Sequence, residues 1–124
     1  MSRRVVPDER REIAEAIEEL SDEASLVLTT GGTGVAPRDV TPEATASVLE
    51  RQIPGIAEAI RADAVTRTPH GLLSRGVAGT RGASLVINLP GSPGGCRDGF
   101  AVVREALSHA ARLVAGEQGG HRQT

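Results

Sequence analysis

The segment running from Leu26 through Thr29-Thr30-Gly31-Gly32-Thr33-Gly34 and Arg38-Asp39 to Thr45 constrains this chain more than any other. An apolar run of the kind buried on both faces of a parallel sheet passes straight into a glycine-rich turn, then a charged pair, then a helix start. Glycine accepts left-handed backbone and lets N–H groups come close to an anion. Gly31, Gly32 and Gly34 therefore read as a phosphate-handling turn positioned by Leu26, Val27 and Leu28. Asp39 follows where a carboxylate could hold a metal ion beside that turn. Taken singly, the glycines also suit a structural turn, and Asp39 a helix cap or a partner for Arg38.

Two better-known phosphate motifs do not fit. A Walker A loop needs a lysine to reach the phosphates, and the chain contains no lysine. A dinucleotide fingerprint needs a third glycine for helix–sheet packing where Pro37 stands.

Along the chain, Val5-Val6 followed by Pro7-Asp8 reads as the end of a strand, with Asp8 as N-cap of a charged helix. Ile13, Ala14, Ile17 and Leu20 share one face of that helix, and a polar link over Ser21 to Ser25 leads to a strand from Leu26 to Thr30. Strand, helix, strand implies a βαβ crossover. Thr41 as N-cap with Pro42 in the first turn predicts a helix from Pro42 to Arg51, broken at Ile53-Pro54-Gly55. A second helix is expected over Ile56 to Ala64, a loop at Thr68 to Gly71, and a short helical or extended piece at Leu72 to Arg75. Ser84 to Leu89 is a strand ending at Pro90-Gly91-Ser92-Pro93. Arg97 to Val114 is an amphipathic helix with Phe100, Val103, Leu107, Ala110 and Leu113 on or near one side.

The expected fold is α/β, one domain over residues 1–115 with a parallel sheet and helices on both faces, followed by a polar, disordered tail at 116–124. Loops after Val6, Leu28 and Leu89 fall at the carboxyl edge of such a sheet, where ligands bind.

Composition narrows the function. The only aromatic residue is Phe100, so the core is aliphatic and no base-stacking platform for nucleic acid exists. A net charge of −2 leaves the arginines as solvated surface with a few anion contacts. Cys96 is the single cysteine, and its spacing from His70, His109 and His121 assembles no metal cluster. No signal peptide or spanning helix is visible, and a reducing cytoplasm is expected.

Four stretches occur in order: Thr29 to Gly34 (TTGGTG), Pro37 to Thr45 (PRDVTPEAT), Leu73 to Arg75 (LSR) and Asn88 to Pro93 (NLPGSP). Together they resemble the MogA/MoaB family of molybdenum-cofactor biosynthesis proteins, related to the G domain of gephyrin, over Val5 to about Ala115. The resemblance implies a three-layer α/β/α fold with a mostly parallel sheet. It implies adenylation of molybdopterin by Mg-ATP, with Asp8 and Asp39 catalytic and Asp39 at the Mg²⁺. Binding is implied for Thr30, Gly31, Gly32, Thr33, Gly34, Ser74, Arg75, Asn88, Pro90, Gly91 and Ser92, with Arg75 pairing with a phosphate. Family members commonly form trimers or dimers of trimers and hand product to a molybdenum-insertion protein. They also carry a further N-terminal strand, helix and Ser-Asp loop, so the resemblance marks this chain as shortened. The alternative function is a non-catalytic pterin- or nucleotide-binding or assembly subunit of the same fold.

Overall fold

A computed structural model describes residues 1–116. Helix α1 (Arg10–Glu23) leads to strand β1 (Leu26–Thr30), and the glycine turn connects to α2 (Thr41–Val48). A short strand β2 (Arg51–Gln52), helix α3 (Pro54–Arg67) and a 3₁₀ turn (Pro69–Leu73) follow. Strands β3 (Ala78–Arg81) and β4 (Ser84–Leu89) precede the long helix α4 (Pro93–Val114).

The strands form one sheet in the order β1-β4-β3-β2. Leu26 to Thr30 run parallel to Leu85 to Leu89, whereas β3 pairs antiparallel with β4, and β2 antiparallel with β3. The expected α/β class and the helices on both faces are present, but the described sheet is mixed rather than mostly parallel. The tight Gly82 turn, with φ +58°, returns β4 against β3 as a hairpin, and a hairpin is antiparallel by construction.

Burial along β4 explains the layers. Leu85, Ile87 and Leu89 point to one face and pack with Ile60 of α3 and Val103 and Leu107 of α4. Val86 points to the other, where Val27 meets Ile13 and Ile17 of α1 and Ala44 and Val48 of α2. Both clusters are aliphatic, and Phe100 packs only at the margin of the first. Ser84 shares the face of Val86, and its hydroxyl reaches the carbonyls of Ser21 and Ala24. It thereby serves a carbonyl that the end of α1 leaves without an intrahelical donor.

Several boundaries differ from expectation for identifiable reasons. Val5-Val6 is not a strand, and β1 bonds only to β4 in the described sheet, so no βαβ crossover through α1 forms. Val5 stays 91% exposed. The arm containing it is tied to the outside of α1 instead, by Ser2 Oγ on Glu23 and by the Arg4–Glu19 pair. Helix α1 starts at Arg10 with Glu9 in the cap position, so Asp8 is not its N-cap. Helix α2 includes Thr41, its cap position falls to Val40, and it stops at Val48 because Arg51–Gln52 is drawn into pairing with Thr80 and Gly79. Helix α3 starts at Pro54 and continues to Arg67, and α4 starts at Pro93, where Ser92 Oγ accepts from Gly95 N at 3.1 Å. A serine cap followed by proline is a strong start signal that outweighs the glycine pair behind it. The expectation for the tail beyond Gly116 lies outside the described residues.

Candidate active site

The end of β1, the start of α2 and the loop after β4 meet at one edge of the sheet. Gly31 N donates to Leu89 O at 3.1 Å, and Thr41 N to Gly32 O at 3.1 Å, so the turn is pinned on both sides. Gly31 and Gly32 hold φ of +89° and +70°, a left-handed pair that reverses the chain at the strand end. A Cβ on Gly91 would lie 3.0 Å from Gly31 Cα, so the two glycine loops pack backbone to backbone. Residues 36–39 close a β-turn, Asp39 N donating to Ala36 O at 2.9 Å, with Pro37 at its favoured second position.

Arg75 clamps this assembly. Its backbone N–H donates to Thr33 O at 2.8 Å, its Nε to Gly34 O at 2.7 Å, and one terminal nitrogen to Asp39 O at 2.6 Å. The other terminal nitrogen meets Glu43 Oε2 at 2.5 Å. Arg75, expected at a phosphate, makes these bonds within the chain, and its partner Glu43 was not singled out from the sequence. The Arg75 hydrogen bond, then the backbone N–H at the start of α2, hold the Glu43 carboxyl below the ordinary value of 4.5. A depressed carboxylate pKa contributes stability above the unfolded value and loses it as pH falls through the folded one. Amide protection factors in the 34–39 loop, which remove the intrinsic pH dependence of exchange, should therefore be unaffected by this group from pH 5 to 7 and fall only below the ordinary value of 4.5. Loosening already at pH 6 would contradict the assignment.

Asp8 and Asp39 complete the site. Asp39 Oδ2 accepts from Ala36 N at 3.1 Å and lies 2.8 Å from where a Gly34 Cβ would stand. It neither caps α2 nor pairs with Arg38. Asp8, released from capping, places Oδ1 3.7 Å from where a Gly32 Cβ would stand and takes no hydrogen bond among the described residues. Both carboxylates, with Thr30, Gly31, Gly32, Arg38 and Thr41, line one cavity of about 720 Å³ that continues between α1 and β1. That size suits a small ligand. Among the described residues no cluster of three or more His, Cys, Asp or Glu could cage a metal. Two carboxylates lining one cavity with the glycine turn fit Mg²⁺, which is normally held by one or two carboxylates, water and substrate phosphates.

Of the other expected site residues, Thr33, Gly34, Ser74, Arg75, Asn88, Pro90, Gly91 and Ser92 do not line this cavity. Ser92 caps α4, and Ser74 Oγ accepts from Gly76 N. Asn88 is 4% exposed, and its side chain is fully used: Oδ1 accepts from Val77 N, and Nδ2 donates to Thr29 Oγ1 and Thr45 Oγ1. It ties β4 to the loop before β3, to β1 and to α2, directly beneath the site. Asn88→Ala would take the partner from the Val77 N–H and the Thr29 hydroxyl and one of two partners from Thr45 Oγ1, a loss of about 2 kcal/mol in urea unfolding. A change within about 0.5 kcal/mol would mean that the network is not needed.

Comparison with known proteins agrees with this architecture. Residues 1–109 match the family described as a probable molybdopterin binding domain. The molybdopterin adenylyltransferase of Helicobacter pylori is 42% identical over 114 residues, 90% of this chain and 65% of that protein. The Drosophila melanogaster molybdenum cofactor synthesis protein cinnamon is 39% identical over 122 residues, 97% of this chain but 20% of that protein. This chain therefore spans less than two thirds of either relative. A crystal structure of the molybdopterin biosynthesis enzyme MoaB from Thermus thermophilus superposes with a TM-score of 0.83 at 49% identity, covering 90% of this chain and 72% of that one. With the match running through every element up to most of α4, the chain belongs to the molybdopterin-binding family that includes the MogA and MoaB proteins.

Proposed function

We propose that this chain acts in molybdenum-cofactor biosynthesis as a molybdopterin adenylyltransferase. The observation that carries the proposal is a pair of carboxylates, Asp8 and Asp39, beside a left-handed glycine turn in one cavity. In the reaction, an oxygen of the pterin's terminal phosphate attacks the α-phosphorus of ATP. The bond from that phosphorus to the bridging oxygen of the β-phosphate breaks, and pyrophosphate leaves with the electron pair. Bound Mg²⁺ supplies charge neutralisation at the phosphate oxygens.

The chain's own residues provide placement. Gly31 and Gly32 bring left-handed backbone to the cavity wall, and Thr30 and Thr41 line it beside them. Asp39 would hold Mg²⁺ at the cavity wall, and Asp8 would help organise the metal or substrate from the same cavity. Arg38, exposed at the cavity rim, adds positive charge for an anionic substrate. Fixed geometry and preorganised charge carry the catalysis, since no covalent nucleophile is required.

Incubation with molybdopterin, ATP and Mg²⁺ tests this reading: adenylated product with pyrophosphate is expected. Binding without turnover would favour the second reading, a pterin- or nucleotide-binding module of the same fold.

The proposal includes a homotrimer or higher assembly, a cytoplasmic setting and hand-over to a molybdenum-insertion partner. Among the described residues no helix is long and apolar enough to cross a membrane. Exposed Leu72 and Leu73 on the 3₁₀ turn give one apolar surface for self-association. Sedimentation at micromolar concentration should show a trimer, and a folded monomer alone would refute the assembly.

A further inference from the structure

We propose that Arg75 and Glu43 form a clamp that positions Asp39, with Arg75 acting as a positioning residue and not as a phosphate ligand. The catalytic consequence of the clamp rests on the adenylation reading, and its mechanical consequence on the structure alone.

A guanidinium has five N–H groups in a rigid fork and accepts nothing. Here Nε reaches Gly34 O, one terminal nitrogen reaches Asp39 O and comes within 3.5 Å of Glu43 Oε1, and the other reaches Glu43 Oε2. Gly34 and Asp39 are the two ends of the loop whose β-turn presents the Asp39 carboxylate. One planar group bridges both ends and anchors them to the first turn of α2. Lysine has the charge but not the fork, so it cannot span those acceptors.

The exposure of the pair supports positioning over bulk stability. The side chains of Arg75 and Glu43 are 37% and 42% exposed, and exposed pairs contribute little to global stability. A local loop can nonetheless open independently of the core, and the clamp acts on that opening. Its position is also set from outside the loop: Arg75 N donates to Thr33 O, and Gly76 O, one residue on, accepts from Arg61 of α3 at 2.8 Å. The segment is fixed to the glycine turn and to α3, which gives the fork a rigid base. Asp39 is the one carboxylate in the clamped loop, and it lies against Gly34 at the cavity wall.

The test uses Arg75→Lys, Arg75→Ala and Glu43→Gln with three measurements: thermal midpoint, amide exchange at Ala36 and Asp39, and the kcat and KM of adenylation. In Arg75→Lys, exchange at Ala36 and Asp39 should rise about tenfold, with the thermal midpoint nearly unchanged. The kcat should fall by about a hundredfold, with KM for ATP changed less than about threefold, as expected for a displaced reacting group. Glu43→Gln keeps a hydrogen-bond acceptor and should give a smaller effect of the same kind. A rise in KM with unchanged exchange and kcat would overturn the proposal and make Arg75 a ligand. If the native chain shows no adenylation, the functional reading fails separately, and exchange alone decides: faster exchange in the variants upholds the clamp, unchanged exchange refutes it. If Arg75→Ala does not fold, the lysine and glutamine variants still decide between clamp and ligand.

Discussion

Asp39→Ala should reduce adenylation by about a hundredfold or more while leaving the fold nearly intact. The stability side follows from what the carboxylate touches. It accepts one backbone bond, from Ala36 N, and makes no ion pair among the described residues, so its removal costs about 1 kcal/mol. The β-turn remains closed by Asp39 N on Ala36 O and by the Arg75 bond to Asp39 O, both of which use backbone atoms that alanine keeps. The activity side follows from where the carboxylate stands, on the wall of the cavity that also holds Asp8 and the glycine turn. A preorganised charge at a transferring phosphate contributes several kcal/mol in the transition state alone. Parallel measurement of thermal midpoint and pyrophosphate release separates the two. Full activity, or unfolding that accounts for the whole loss, would return Asp39 to a purely structural role. Gly34→Ala offers a subtler version, because its new Cβ would stand 2.8 Å from Asp39 Oδ2 and must push the carboxylate aside.

Gly32→Ala should damage the glycine turn severely. Its φ of +70° already disfavours any L side chain by about 1–2 kcal/mol. The added Cβ would also stand 2.3 Å from Thr41 Oγ1 and 3.2 Å from Thr41 Cβ, at a threonine that is itself buried. Thr41 cannot retreat easily, because its N–H is bonded to Gly32 O and its O accepts from Thr45 Oγ1. Overpacking of this kind costs a further 1–3 kcal/mol or so, for a total of about 2–5 kcal/mol in denaturant unfolding. Gly55→Ala, where nothing lies within 4 Å, is the matched control and should be neutral or slightly stabilising. Equal stability of the two variants would show that the turn relaxes freely and does not depend on glycine.

The parts of this molecule that were legible in the sequence are those fixed by local chemistry. Leu26 to Thr30 and Ser84 to Leu89 are continuous runs and strands with the expected bounds, but burial on both faces holds only for Ser84 to Leu89, because β1 lies at the edge of the described sheet with Leu28 and Thr30 exposed. Strands β2 and β3 carry no such signal, since Arg51-Gln52 is polar and Ala78-Gly79-Thr80-Arg81 is small and uneven. They are strands because β4 offers an edge to pair with, which is a tertiary cause. The glycine turn and Asp39 were legible because backbone conformation and charge are properties of the residues themselves. The Arg75–Glu43 clamp joins positions 32 residues apart, and no periodicity or spacing encodes that contact. The Asp8 cap failed by a single position, and that shift frees the carboxylate for the cavity.

The aliphatic core has a consequence for observing this protein at work. With no tryptophan or tyrosine and one phenylalanine, placed at the margin of a cluster of leucine, isoleucine and valine, the chain is nearly transparent in the near ultraviolet. The near-ultraviolet absorbance of the proposed pterin ligand can be followed with almost no background from the protein. The same transparency means that intrinsic fluorescence cannot report unfolding, so the stability comparisons above are best read by far-ultraviolet circular dichroism or calorimetry.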